Sequence, residues 1–252
     1  MTLKNKAISW ISSHLFDNVT YEVRNGLLKG LRRRGGLGWL PLESNSTPEH
    51  LFWQQLDLKG KVVYDIGAFH GLLTLFFARQ ASQVVAWEPN SRNRRRLNEN
   101  ILLNSFSNVI VRPYGLSSHP MRAEMSFDSL APGTASIDTN IAAGALHETI
   151  ELRTLDGEEG LKLPDLIKID VEGFELEVLN GAGATLVRKP ALFLEMHGAD
   201  PEDKRRRVGK IVQHLWGMGY RDILHVESRT QIVPENSAVA AQGHLYARPE
   251  TV

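Results

Sequence analysis

The chain contains no cysteine. Disulfides, a Cys-x-x-Cys zinc site and a thiol nucleophile are therefore all excluded. It has no excess charge of either sign: 29 Lys plus Arg stand against 29 Asp plus Glu. A balanced chain offers no argument for wholesale nucleic-acid binding. No apolar run approaches the roughly 18 residues that a membrane-spanning helix needs. The N-terminal stretch MTLKNKAISWISSHLF has a lysine pair but no full apolar core and no small-residue cleavage site, so no secretory leader is expected and the chain is read as cytoplasmic. Internal repeats, low-complexity tracts and a G-x-G-x-x-G fingerprint are also missing. What remains is 252 residues, 42% apolar and 23% charged, enough for one large domain with an embellishment.

Residues 1–58 mix glycine, arginine and large apolar residues without a long period. They are expected to form an N-terminal helical or loop extension that covers the acceptor site, ahead of a single domain over 59–252. In STPEHLFWQQL, Ser46 or Thr47 can cap a helix whose first residue is Pro48. Phe52 and Trp53 are expected to dock this segment on the core. From Lys61 onward, short β-branched runs (KVVYDIGA, QVVAWEP, NVIVRPYGLSS, LIKIDVE, ALFLEMHG) alternate with helical patterns. That alternation implies a parallel sheet covered on both faces. DILHVES and GHLYARP close the chain as strands separated by a polar turn. RAEMSF and ETIELRTL alternate with period two and predict a small antiparallel insertion. A seven-stranded, mostly parallel α/β sheet with that C-terminal antiparallel hairpin resembles the Rossmann-like class I methyltransferase architecture.

The first strand ends in Asp65 and runs into a loop of pattern D-x-G-x-x-x-G, with Gly67 and Gly71 framing the turn before a helix. Asp65 suits a cationic ligand group better than a pyrophosphate. The ammonium of S-adenosylmethionine, met directly or through water, fits. Glu88 ends the second strand about 20 residues after Gly67, where an acid can accept from both ribose hydroxyls. Asp170 ends the fourth strand, at the carboxyl edge where ligands of such sheets lie.

YDIGAFHG, AWEPN, NVIVRPYGLSS and above all LIKIDVEGFELEVLNGA with FLEMHG resemble the FkbM-type methyltransferases over roughly residues 50–225. The resemblance implies a class I enzyme that moves a methyl group from S-adenosylmethionine, typically to a hydroxyl oxygen of a sugar, polyketide or similar metabolite. It implies that Asp65, Gly67 and Gly71 form the cofactor loop, that Glu88 holds the ribose and that Asp170 lies beside the methionine moiety. Ala68, Phe69, Pro89, Asn90, Tyr114 and Gly115 complete the candidate cofactor-binding set. The chain departs from the family at Phe69, where a small polar residue is usual, and at His70, where an aliphatic one is common. No acid follows strand three to meet adenine, leaving backbone groups near Tyr114 to Leu116 or apolar packing.

An alcohol is a weak nucleophile, so O-methylation benefits from a base or a Lewis-acidic metal. Glu172, Glu195 and His197 are the candidate catalytic residues, each at a strand tip with residues two apart sharing a face. One reading makes His197 a general base oriented by Glu172 or Glu195. The other makes Asp170, Glu172 and His197 a divalent-metal site, with a donor set that suits zinc or iron better than magnesium or manganese at the imidazole. The base is preferred, because a proton must leave whether or not metal is present, and no metal is assigned. Glu172 can also serve simply as a helix-terminal acid, and Glu175 is expected to do so without a catalytic role. Arg32, Arg33 and Arg34 can contact an acidic sugar, phosphate or lipid headgroup peripherally, although a surface loop is the preferred reading. Arg92 to Asn98 is expected to be a solvated helix face. The competing functions are an NAD-linked oxidoreductase, which the absent fingerprint disfavours, and a catalytically silent S-adenosylmethionine-binding domain.

Overall fold

The computed structural model describes residues 18–35, 47–128, 131–136 and 146–249. In chain order, β1 (Thr20–Glu22) and β2 (Arg32–Arg34) form an antiparallel hairpin. Helix α1 (Pro48–Gln55) follows, capped by the Thr47 side chain with Pro48 in its first turn. The α/β alternation then runs β3 (Val62–Ile66), α2 (Leu72–Ala78), β4 (Gln83–Trp87), α3 (Ser91–Leu103) and β5 (Val109–Arg112). The insertion comprises β6 (Gly115–Leu116), β7 (Met121–Asp128), β8 (Ala131–Ser136) and β9 (Leu146–Arg153). β10 (Leu166–Ile169), α4 (Glu175–Asn180), α5 (Gly183–Val187), β11 (Ala191–Glu195) and α6 (Pro201–Gly217) resume the alternation. β12 (Asp222–His225), β13 (Thr230–Gln231) and β14 (His244–Arg248) close it.

Among the described residues the main sheet has the order β13-β12-β14-β11-β10-β3-β4-β5. The five strands β5, β4, β3, β10 and β11 run parallel, and β14 is antiparallel to both β11 and β12. This is the expected seven-stranded sheet plus a two-residue eighth strand, β13, at its edge. The insertion is the expected antiparallel pair, β7 with β9, widened by β6 and β8.

Because the side-chain period of a strand is two, each central strand feeds both layers of the core. Tyr64, Ile66, Ile167, Ile169 and Leu194 pack toward α4 and α6. Val63, Val84, Ala86 and Phe193 pack on the other face toward α1 and α2. Trp53 of α1 is fully buried there, with its ring 4.2 Å from that of Phe193 and 5.1 Å from that of Phe77. Residues 47–58 are thus part of the domain core and not a detached extension. The hairpin β1–β2 is tied to α3, where the Asn100 and Asn104 side chains accept from the backbone of Arg34 and Arg32.

Four expectations need correction. The helix after strand four is two short helices, because Gly181 interrupts it: a Cβ there would sit 2.1 Å from the Ser117 carbonyl oxygen, so helix and insertion meet backbone to backbone. The polar turn before β14 contains a 3-10 segment, Pro234–Ala240. The face Arg92 to Asn98 is only partly solvated. Arg96 is buried and pairs with Glu99 at 3.4 Å, and Arg94 donates to the carbonyls of Glu88 and Pro89. Arg32 to Arg34 form a strand, with the Arg33 guanidinium buried and its proton affinity lowered by that burial. The remaining N-terminal expectations, for residues 1–17 and 36–46, lie outside the described residues.

Replacing Trp53 by Ala should lower the unfolding free energy by about 3–5 kcal/mol, the range for deleting a buried aromatic ring. A urea denaturation midpoint matching the wild type would instead mean that α1 is dispensable to the core.

Candidate active site

The carboxyl ends of β3, β4 and β10 open on a cavity of about 180 Å³. Its floor is the loop after β3. The N–H groups of Gly67 and Ala68 both donate to the Trp87 carbonyl, which ties the loop to β4. Gly67 has φ +81°, and a Cβ on it would lie 1.7 Å from the Asp170 carbonyl oxygen, so only glycine allows β3 and β10 to approach there. Phe69 also takes a left-handed backbone, φ 51°, which turns its N–H to Glu88 Oε2 at 2.8 Å. Its ring stacks on that of His70 at 3.8 Å, so His70 acts as a packing residue.

Glu88 is buried in the cavity wall. It accepts from the Phe69 and Asn90 N–H groups, 2.8 and 2.9 Å away. Burial pushes its carboxyl up to about 7 against the lowering effect of those bonds. The Asn93 side chain hydrogen-bonds it as well; with about four acceptor positions on a carboxylate, three donors leave capacity for a ligand. Pro89, Gly115 and Leu116 also line the cavity, with Asn93, Met125, Leu152 and Phe174, none of which the sequence reading singled out. Asn90 caps α3 through its side chain. The Tyr114 hydroxyl donates to Glu158 at 2.5 Å. Ala68, Asn90 and Tyr114 are buried beside the cavity and are not among its lining residues.

Asp65 is fully buried and does not line the cavity. The Thr74 hydroxyl donates to its Oδ2 at 2.5 Å, and the cation it meets is Lys168, whose Nζ is 3.2 Å from Oδ1. Lys168 lies opposite Asp65 in the β3–β10 register, and Asp170 follows two residues later on the same face. The ammonium donates to the Gly67 carbonyl at 2.8 Å and reaches Asp170 Oδ2 at 3.3 Å. Burial lowers its proton affinity, but Asp170 and Asp65 raise it further, so Lys168 is held as a cation. Burial raises the Asp170 carboxyl, opposed by Lys168. A lysine inside an apolar run (LIKI) between two strand-end acids is the signal that could have revealed this triad.

Past Asp170 the chain turns through Glu172, φ 51°, and Gly173, φ 104°. The turn brings Glu172 to the cavity mouth, where burial raises its carboxyl. His197, after β11, stands opposite. Its Nε2 lies 3.5 Å from Glu172 Oε2, 3.6 Å from Glu195 Oε1 and 3.8 Å from Asp170 Oδ1. Its Nδ1 is 2.8 Å from Glu175 Oε1. The carboxylate that orients the imidazole is therefore Glu175, and neither Glu172 nor Glu195. Glu175 is 1% exposed and also accepts from the Gly173 N–H, so its place in the first turn of α4 does not exhaust its role. Burial lowers the imidazole's proton affinity, but the Glu175 hydrogen bond and the charges of Glu175, Glu172 and Asp170 raise it to about 9. Glu195 faces His244 across the β11–β14 register at 3.8 Å, and that histidine holds the Glu195 carboxyl low. His244 also meets Glu227 at 2.6 Å and Glu49 of α1 at 4.0 Å.

Replacing Lys168 by Met should cost about 3–5 kcal/mol, the penalty for leaving a buried partner charge alone. The double variant with Asp65→Asn should recover part of that loss in guanidinium denaturation. Equal and additive losses would show that the two side chains do not interact.

Comparison with known proteins follows the same lines. The chain matches the methyltransferase FkbM domain over residues 65–221, more than half its length. It is 32% identical over 151 residues to the hexuronic acid methyltransferase AglP of Haloferax volcanii, covering 56% of this chain and 59% of that protein. It is 30% identical over 154 residues to methyltransferase sdnD of Sordaria araneosa, covering 47% and 59%. The aligned region thus spans about three fifths of each of these relatives. The crystal structure of the methyltransferase FkbM from Methylobacillus flagellatus KT shares the fold, with a TM-score of 0.51 at 17% identity over 79% of this chain and 50% of that one. Among the described residues no helix is long and apolar enough to cross a membrane. By the match of its domain, the chain belongs to the FkbM methyltransferase family.

Proposed function

We propose that the protein transfers the methyl group of S-adenosylmethionine to a hydroxyl oxygen of a sugar or similar polyhydroxylated metabolite. The observation that carries this reading is the meeting of two unlike half-sites. A cavity with one buried carboxylate, Glu88, opens directly onto a polar mouth made by Asp170, Glu172, Glu195 and His197. The residues present fit the cosubstrate. Glu88 retains acceptor capacity for ribose hydroxyls, Leu116, Met125 and Leu152 offer apolar walls to adenine, and the bare Gly67 backbone allows close approach. The relative named as a hexuronic acid methyltransferase supports a sugar acceptor.

Bound there, S-adenosylmethionine supplies a methyl group already activated by its sulfonium. The chain's own task is to align an acceptor oxygen with that carbon and to take the oxygen's proton. The oxygen forms the new C–O bond as the C–S bond breaks, the electron pair stays on sulfur, and the proton passes to Glu172 or Glu195, the carboxylates that the charged His197 draws together. Asp170 stands between the two halves, with one oxygen toward Lys168 and the other toward His197. Helix α1 belongs to the acceptor side in this reading, supported by the approach of Glu49 to His244 beside Glu195.

Cofactor affinity should fall as pH drops through about 7, where Glu88 gains a proton. The ionised carboxylate accepts from hydroxyls, and the protonated one loses acceptor capacity. Calorimetry across that window should show the dependence in the wild type and a flat, weaker affinity in Glu88→Gln, with a loss of about 1–3 kcal/mol. An unchanged pH profile in the variant would remove the ribose assignment.

Screening labelled cofactor against uronic acids, neutral sugars, glycolipids and polyketides should reveal the acceptor. With it in hand, His197→Ala should lower turnover about 10²–10⁴-fold at saturating cofactor while cofactor affinity stays near normal. Turnover close to that of the wild type would place the proton's path elsewhere.

A further inference from the structure

We propose that the mouth of the site binds a divalent transition-metal ion, held by Asp170, Glu172 and His197. Its catalytic role rests on the methyl-transfer reading above; its existence does not. One ligand atom from each of the three residues lies within 4.8 Å of the others. The imidazole Nε2 stands 3.5–3.8 Å from the carboxylate oxygens of Glu172, Glu195 and Asp170. These separations are too long for good hydrogen bonds. Two donors sharing an ion at about 2.1 Å each, near the tetrahedral angle, stand roughly 3.4 Å apart. The spacing therefore matches ligands around a common centre better than a closed ion pair.

The imidazole is also oriented as a metal ligand is. Its Nδ1 faces the buried Glu175 carboxylate at 2.8 Å, which leaves Nε2 as the nitrogen turned toward Asp170 and Glu172, where a metal ion would take the place of its proton. Ligating histidines commonly donate their other N–H to a carboxylate in this way. Asp170 divides its oxygens, Oδ2 to Lys168 and Oδ1 toward the cluster, so the lysine fixes one ligand without occupying the centre. Charge points the same way: Asp170, Glu172, Glu175 and Glu195 all converge on a single imidazole.

Two carboxylates and an imidazole suit iron(II) or zinc best, and manganese(II), which shares their preference for the two carboxylates, serves as a paramagnetic probe of the site. Asp170 and Glu172 line the cavity, so an ion between them would face the acceptor. A hydroxyl bound there becomes more acidic, and its proton can pass to Glu195, the carboxylate outside the ligand set. The sequence alone ranks the base reading above the metal one; the geometry of the cluster reverses that order.

The test uses the full chain, treated with chelator, desalted and titrated with Mn²⁺ alone, with electron paramagnetic resonance counting free and bound ion. One Mn²⁺ per chain is expected, with a ¹⁴N coupling from imidazole in the pulsed spectrum and displacement by Zn²⁺. His197→Ala should lose that coupling, and Glu172→Gln, at a half-exposed position less prone to disturb folding, should weaken binding at least tenfold. Circular dichroism confirms that each variant is folded. Absence of stoichiometric binding in the wild type overturns the proposal, as does unchanged affinity and coupling in both variants. Methyl transfer that persists in chelator, with no ion bound, removes the metal's catalytic role and leaves the transferase. Mn²⁺ bound through His197 with no transfer to any acceptor removes the transferase and leaves the metal site.

Discussion

The site depends on one buried ammonium. Lys168 is wholly inside the protein, yet it touches the Gly67 carbonyl, Asp65 and Asp170 at 2.8–3.3 Å. Without it, two carboxylates at adjacent strand tips would face each other across a dry interface, and desolvation would drive at least one to take a proton. With it, β3 and β10 can carry acids side by side, and the glycine loop is anchored to the strand that supplies the acceptor side. A single cation thereby couples the cofactor cavity to the polar mouth. Asp65, which the sequence suggests as a ligand contact, is spent internally on Thr74 and this lysine.

The same logic runs along the sheet edge. Registers in parallel and antiparallel pairs set Asp65 beside Lys168 and Glu195 beside His244. The result is a row of alternating charge across four neighbouring strand tips: Asp65, Lys168 with Asp170, Glu195 with His197, then His244. Such alternation lets acids sit near one another because each is flanked by a cation. Glu172 and Glu175 break the alternation by adding two more carboxylates around His197. That local excess of negative charge sets the mouth apart from the rest of the edge, where charges are matched.

The fold was largely legible because its elements announce themselves by period. Uninterrupted β-branched runs such as KVVYDI and LIKI mark doubly buried strands, and the Ser46-Thr47-Pro48 run marks a helix start, which the Thr47 side chain caps. The break in the helix at Gly181 was not legible, because it answers to a contact with Ser117 more than sixty residues away in the chain. The loop after β3 was legible for a related reason: backbone that must approach closely leaves glycines at fixed offsets, as at Gly67. The partners of the functional side chains were less visible. Glu175 was read as a helix-terminal acid, although a buried hydrogen bond to a histidine 22 residues later gives it a second task.

This contrast bears on what each half of the site can vary. The cofactor half is fixed by close approach: a Cβ at Gly67 would meet the Asp170 carbonyl at 1.7 Å, and one at Gly115 would meet Leu152 at 2.6 Å. Few substitutions are compatible with those distances, so that half can hold only one shape of ligand. The polar mouth is instead built from side chains on the turns after β10 and β11, Glu172 and His197 among them. Turn and insertion residues can change without disturbing the parallel strands beneath them. The chemistry at the strand tips and the identity of the acceptor are therefore separable in this architecture. The first is held by Lys168 and the sheet register, and the second, in the proposed reading, by the turns that follow β10 and β11.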